Sequence, residues 1–175
     1  MVIVMNKEKK KLFIYMVSTF AVVSVIVFSL IISNKVFVLK YDVSDISFEY
    51  YSNFKVRRKD DNNILISSKD DIAKINVSVE TNDSSYAISD YEVVSNDIMS
   101  KLVDEKYEVI DNKCSDHMCT RIYSFNKNKK QVVVEFRENI LITYLFECND
   151  KNYDNYIKGF NLIVNSFVKD NDKVE

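Results

Sequence analysis

The chain has 175 residues, 24 Lys and Arg against 26 Asp and Glu, 47% hydrophobic residues, one glycine and no proline. A single glycine cannot build a glycine-rich phosphate loop, and neither G-x-S-x-G nor H-E-x-x-H occurs, so nucleotide binding and the familiar hydrolase and zinc-protease signatures have no basis here. A formal net charge of −2 gives nucleic acid no electrostatic handle on the whole chain.

From Leu12 to Ser33 runs "LFIYMVSTFAVVSVIVFSLIIS", 22 residues without a charge. As a helix it would be roughly 33 Å long, enough for a hydrocarbon core of about 30 Å. Lys7, Lys9, Lys10 and Lys11 precede it against Glu8 alone, which retains the N-terminus in the cytoplasm and exports the chain beyond the apolar run. The expectation is a cytoplasmic tail (1–11), a transmembrane helix (12–33) and an extracytoplasmic domain (34–175): a single-pass cell-membrane protein, N-in and C-out. A cleavable signal peptide is the rival reading, but the exit "SLIISNK" has Ile31 two residues before Ser33, a poor small-x-small site. The apolar "MVIV" ahead of the basic run makes Met5 an alternative start.

Residues 34–175 carry 20 basic and 25 acidic side chains, a net of −5. That length suits one domain with one core, and the charge disfavours nucleic acid and anionic membrane surfaces as partners. Turn segments such as "KDDNN", "SKDD", "TNDSS" and "KNKK" rely on Asn and Asp, which tolerate left-handed backbone, in place of Gly and Pro.

In chain order, "KVFVLKY" (35–41), "ISFEYY" (46–51) and "NILISS" (63–68) are β-branched or aromatic runs bounded by polar turns. "AKINVSVE" (73–80) alternates apolar and polar, as a half-buried strand does. The period then changes. In "SDYEVVSNDIMSKLVDEKY" (89–107), Tyr91, Val94, Ile98 and Leu102 recur every three or four residues, and Ser89 with Glu92 forms an S-x-x-E capping box, which predicts an amphipathic helix. "YEVID" (107–111) and "CTRIYSF" (119–125) are the arms of a hairpin, followed by "QVVVEF" (131–136) and "NILITYLFEC" (139–148). The last is apolar on both parities, as a central strand covered on both faces must be. A second amphipathic helix closes the chain, its stripe formed by Tyr153, Tyr156, Ile157, Phe160, Ile163, Val164 and Phe167, with Asn149 or Asp150 at its start. The order β-β-β-β-α-β-β-β-β-α predicts an α+β fold in which an antiparallel sheet packs with two helices.

The early "FEYYSNF" (48–54), the alternating strand, the mid-chain helix, the paired-strand block and the final "YIKGFNLIVNSF" helix together resemble the PsbP/Mog1/DcrB-type fold over about residues 41–169. Bacterial members of that group are often membrane-anchored and extracytoplasmic. The resemblance implies a binding or assembly role in the cell envelope, brings no catalytic motif, and implies no cofactor. An NTF2-like structural subunit of a secretion or conjugation complex is a second reading, although such domains usually begin with helices.

"KCSDHMC" (113–119) holds two of the three cysteines and the only histidine. If the flanking strands pair, Cys114 and Cys119 face each other across the turn, within reach of a disulfide that an extracytoplasmic site would permit. Free structural thiols, or a thiol-redox or metal site using Cys114, His117 and Cys119, remain open. Cys148 shares its parity with Ile140, Ile142, Tyr144 and Phe146, which points it at the core. Asp60, Asp61, Asn62 and Asn63 lack the EF-hand spacing and glycine. Arg57, Arg58 and Lys59 form a basic run that could contact an acidic partner or headgroups near the membrane, or simply be a charged strand end, and the aromatic set Tyr50, Tyr51, Phe54 and Tyr86 could add an exposed contact patch or belong to the core. The reading is a non-enzymatic module whose partner is an envelope protein.

Overall fold

The computed structural model describes residues 11, 15–25, 36–81, 90–115, 117–137 and 140–169. The chain divides into two units, Met1–Phe37 and Val38–Glu175. In the first, residues 15–25 are helical. Among the described residues no helix is long and apolar enough to cross a membrane, and half of the predicted span (12–14 and 26–33), like the basic residues before Lys11, lies outside them.

In the second unit the strands are β1 (Val38–Val43), β2 (Ile46–Tyr51), β3 (Phe54–Arg58), β4 (Asn63–Ser68), β5 (Lys74–Thr81), β6 (Glu108–Ser115), β7 (Met118–Phe125), β8 (Asn128–Arg137), β9 (Ile140–Asn149) and β10 (Val168–Lys169), with helices α1 (Tyr91–Leu102) and α2 (Tyr153–Ser166). The fold is α+β, as expected, with every strand pair antiparallel. Two strands were not foreseen. The short β3 hides in "FKVRR", where charged residues mask the alternation, and the two-residue β10 is too short to carry a period. The strands form a small sheet, β1-β2-β10, and a seven-stranded sheet, β3-β4-β5-β9-β8-β7-β6.

Tight turns are made without glycine. Ser44 joins β1 to β2 with φ 58°, and Asn126 and Lys127 join β7 to β8 with φ 46° and 64°, the double left-handed turn that suits the twist of a hairpin. β9 lies between β5 and β8 and contributes to two cores. Ile140, Ile142, Tyr144, Phe146 and Cys148 enter the larger one, with Ile46 and Phe48 of β2, Ile64 and Ile66 of β4, Ile75 and Val77 of β5, and Phe160, Ile163 and Val164 of α2. Leu141 joins the smaller one on the opposite face, beneath α1, with Cys119, Tyr123, Val132, Val134, Phe136 and Met99. One strand with apolar residues at both parities therefore welds the two layers together.

The helix stripes differ in how well they match expectation. On α2, Tyr153, Phe160, Ile163 and Val164 are buried and Tyr156 and Ile157 pack against them. On α1 the buried residues are Ser95 and Met99, flanked by Tyr91, Val94 and Ile98, whereas Leu102 is exposed. The expected capping box is also displaced: the N-cap is Asp90, with no side-chain cap bond, and Ser89 lies outside the described residues. Asn149 accepts from Asn152 N–H at 3.0 Å and opens the single 3-10 turn before α2.

The β4–β5 turn is tied to α2 by side chains. Ser68, which is buried, donates its hydroxyl to Asp70 Oδ1 at 2.5 Å and accepts from Ala73 N–H at 2.9 Å, while the Tyr156 hydroxyl donates to Asp70 Oδ2. The Ser68 bond first, then that from Tyr156, holds the Asp70 carboxyl below its ordinary value of 3.8. The native state then binds fewer protons at this site than the unfolded chain, so its contribution is complete above about pH 4 and disappears as pH falls through the lowered native value. Urea unfolding midpoints should fall less steeply below pH 4 in Asp70→Asn than in the parent, although the variant starts from a lower stability.

Candidate functional site: a cation-lined shelf on the large sheet

The parity of β3 decides which of its charges can meet a partner. Phe54 is buried in the larger core, so Lys55 and Arg57 point to the opposite face, and all three of Lys55, Arg57 and Lys59 are exposed. Cross-strand pairing carries that face across the sheet. One row runs Arg57, Leu65, Asn76, Leu145, Val132, and the next runs Lys55, Ser67, Lys74, Glu147, Lys130. Val132 lies under α1, so this is the α1 side of the sheet. Over β3, β4 and β5 this face leaves Lys55, Arg57 and Lys74 exposed and Leu65, Ser67 and Asn76 half-exposed.

What remains is a shelf with a groove of about 680 Å³, bordered by Lys55, Arg57 and Lys59 on one side and Lys74 and Asn76 on the other, with Leu65 and Ser67 between them. It continues past Lys59 and Asn76 into a second hollow of about 570 Å³ whose lining includes Thr143, Leu145 and Leu102. On the other side, past Lys74, lies a third of about 510 Å³ near Lys129, Lys130 and Glu147. The cations differ in availability. Lys130 pairs with Glu147 at 2.5 Å and Lys129 with Asp150 at 2.7 Å. Lys55, Arg57, Lys59 and Lys74 form no ion pair with a described residue, and Asp71 is the carboxylate lining their groove.

Arg58, expected beside Arg57 and Lys59 as a partner contact, is held by bonds within the fold. It has the opposite parity and its side chain is only 21% exposed. Its guanidinium donates to Ser44 Oγ at 3.2 Å, to the carbonyls of Asp60 and Asp61 at 3.1 and 3.3 Å, and to Asp61 Oδ1 at 3.1 Å. Arg58 therefore ties the β3–β4 turn to the β1–β2 turn. Within the former, Asp60 accepts from Asn62 N–H at 2.9 Å and from the Asn63 amide, which lowers its pKa; the acidic run is a self-bonded turn. Lys55 and Lys74 were missed. Reading "FKVRRK" at period two would have found Lys55, but Lys74 reaches the groove only through the pairing of β4 with β5.

The aromatic patch dissolves into the fold. Phe54 is buried, and Tyr50 and Tyr51 pack on the larger core, while Tyr86 lies outside the described residues.

The cysteine turn is closed. Cys114 on β6 and Cys119 on β7 stand opposite each other with Cα atoms 4.1 Å apart and are joined by a disulfide. Ser115 and Met118 also pair, so the ladder runs one step farther than the cysteines and the connection is tighter than the four residues expected. Both sulfurs are consumed. Cys148, the free cysteine, is buried in the larger core whereas Cys119 belongs to the smaller one across the sheet, so the three do not converge. Burial pushes the Cys148 thiol up, away from reactivity. Among the described residues no group of three His, Cys, Asp or Glu could hold a metal ion, which leaves the metal reading of Cys114, His117 and Cys119 without a ligand set there. Reduction should lower stability by about 2 kcal/mol, the chain-entropy value for so short a loop. Urea midpoints with and without reductant measure it, and alkylation of the unfolded, unreduced chain should label Cys148 alone.

No family model matches the chain, and no curated protein matches it. Solved structures do. Cyanobacterial PsbP (CyanoP) of Synechocystis sp. PCC 6803 superposes with a TM-score of 0.59 at 15% identity, over 76% of this chain and 92% of that one. A protein of Bacteroides thetaiotaomicron superposes with a TM-score of 0.50 at 13% identity, over 76% of this chain and 48% of that one. The second unit of this chain has the PsbP-like fold.

Proposed function

We propose that this chain is a non-catalytic binding module of the cell envelope, held at the outer face of a membrane by residues 12–33, that engages an envelope protein through the shelf on its large sheet. The observation that carries this reading is the group of four exposed cations, Lys55, Arg57, Lys59 and Lys74, around a groove and without ion-pair partners among the described residues. In a domain of net charge −5, such a cluster is a local reversal of sign, which steers and orients an oppositely charged partner. The membrane anchor is supported by the charge-free run and its lysine flank. The PsbP-like fold supports a role in binding or assembly.

The test places a photo-crosslinking amino acid at Ser67, on the groove floor, in cells, with the same residue at Lys158 on α2 as control. A discrete adduct of one protein from position 67 and not from 158 is the expected result. Adducts that are absent or identical from the two positions would remove the shelf from the reading, and turnover of any substrate in an esterase, phosphatase and peptidase panel would remove its non-catalytic part.

A further inference from the structure

The partner's chemistry can be narrowed, given a shelf that binds an envelope protein. Lys55, Arg57 and Lys59 stand at alternate positions of one strand and its exit, so their Cα atoms repeat about every 6.6 Å. That is also the spacing of same-face side chains in any other extended polypeptide. Lys74, opposite Ser67, lies two strands away from Lys55, about 9.6 Å across the sheet. The strip between them is one strand wide, floored by Leu65 and Ser67 with Asn76 beside Lys74 at its edge, and so offers an apolar contact, a hydroxyl and an amide.

We infer that the groove receives an extended segment of a partner protein with acidic side chains at every second position, lying over β4 with those carboxylates against Lys55, Arg57 and Lys59. Its other-parity side chains are turned away from the sheet and need have no charge. A flat anionic bilayer cannot enter a one-strand groove, and the net negative domain around it repels such a surface. A phosphate polymer would match the charge but makes no use of Leu65 or of the two-residue spacing.

The full chain, purified in mild detergent, is titrated against a fluorescent peptide that alternates Glu and Thr. Comparison ligands are a peptide of the same composition with its Glu residues in one block, inorganic polyphosphate, and phosphatidylglycerol vesicles. The alternating peptide should bind about tenfold more tightly than the blocked one, and Lys55→Glu with Arg57→Glu should lose about tenfold, while Lys158→Glu on α2 changes nothing. Circular dichroism confirms that the variants are folded. Equal binding of the two peptides, preference for polyphosphate or vesicles, or no binding at all overturns the inference. If crosslinking from Ser67 still yields its discrete protein adduct, the shelf stands and only the acidic-strand partner falls; if both fail, the shelf falls too.

Discussion

Arg137→Met should destabilise the second unit by about 3 kcal/mol, because it strands a buried carboxylate. Glu135 on β8 is 4% exposed. Arg137, two residues on, donates Nε–H to Oε1 at 2.7 Å and an Nη2–H to Oε2 at 3.0 Å, and its Nη1 donates to the carbonyl of Phe167 at 3.0 Å. The Tyr144 hydroxyl adds a bond to Oε2 at 3.1 Å, and burial, ahead of the Glu135 charge, drives the Tyr144 pKa far upward. Removing the guanidinium leaves Glu135 with the tyrosine alone and frees the carbonyl at the end of α2. The side chain of Arg137 is 31% exposed, which keeps the loss at the lower end of the roughly 3 to 5 kcal/mol typical of a broken buried pair. The arginine also has a position that predicts where loosening begins. Phe167 leads directly into β10, which pairs with β2, so hydrogen exchange of β1 and β2 should accelerate before that of β8 and β9. Replacing both charges, as Glu135→Leu with Arg137→Met, should restore much of the stability, since an apolar pair leaves no unpaired charge. Urea midpoints for the single and double variants decide the matter, and equal losses in both would mean that side-chain packing, not charge, dominates.

That network was invisible in the sequence. "VEFRE" reads as an alternating strand with polar residues facing water, and nothing local says that the parity of Glu135 turns inward, toward Ile142 and α2. It turns inward because β8 has helices on both of its faces, and a strand covered twice has no solvent side on which to place a charge. The same double cover made β9 easy to read, since it is apolar at both parities apart from Thr143, Glu147 and Asn149. Local periodicity thus gave the elements that bury one clean face, α2, β4 and β5, and it lost β3, where three cations within five residues conceal a strand.

The site was legible in part for a related reason. Charges at a strand end can be seen as a run, but whether they act together depends on parity and on the neighbouring strand. Arg57 and Lys59 share a face, Arg58 between them does not, and Lys74 joins only across the β4–β5 ladder. The cysteines were a simpler case: a pair of cysteines closing a hairpin needs no long-range information, only the assumption that the arms pair in register.

Gly159→Ala should lower stability by up to about 2 kcal/mol, the opposite of what helix propensity alone dictates. In an unobstructed helix the substitution would gain about 1 kcal/mol. Here a β-carbon at position 159 would lie 2.6 Å from Phe54 Cε2, 3.1 Å from Cζ and 3.4 Å from Tyr51 Cδ2. The Phe54 ring cannot retreat freely: it is 3% exposed and meets the Tyr156 ring edge-on at 5.8 Å. Overpacking of this kind costs about 1 to 3 kcal/mol and outweighs the helical gain. The consequence reaches the site, because Phe54 begins β3 and sets the parity that faces Lys55 and Arg57 into the groove. In a Phe54→Leu background the obstruction shrinks, so the same Gly159→Ala change should become neutral or stabilising there. The coupling between the two positions, measured by urea unfolding of both single variants and the double, should be about 1 kcal/mol or more. Simple additivity, with Gly159→Ala stabilising in either background, would mean that α2 shifts to make room and that its contact with Phe54 does not position β3.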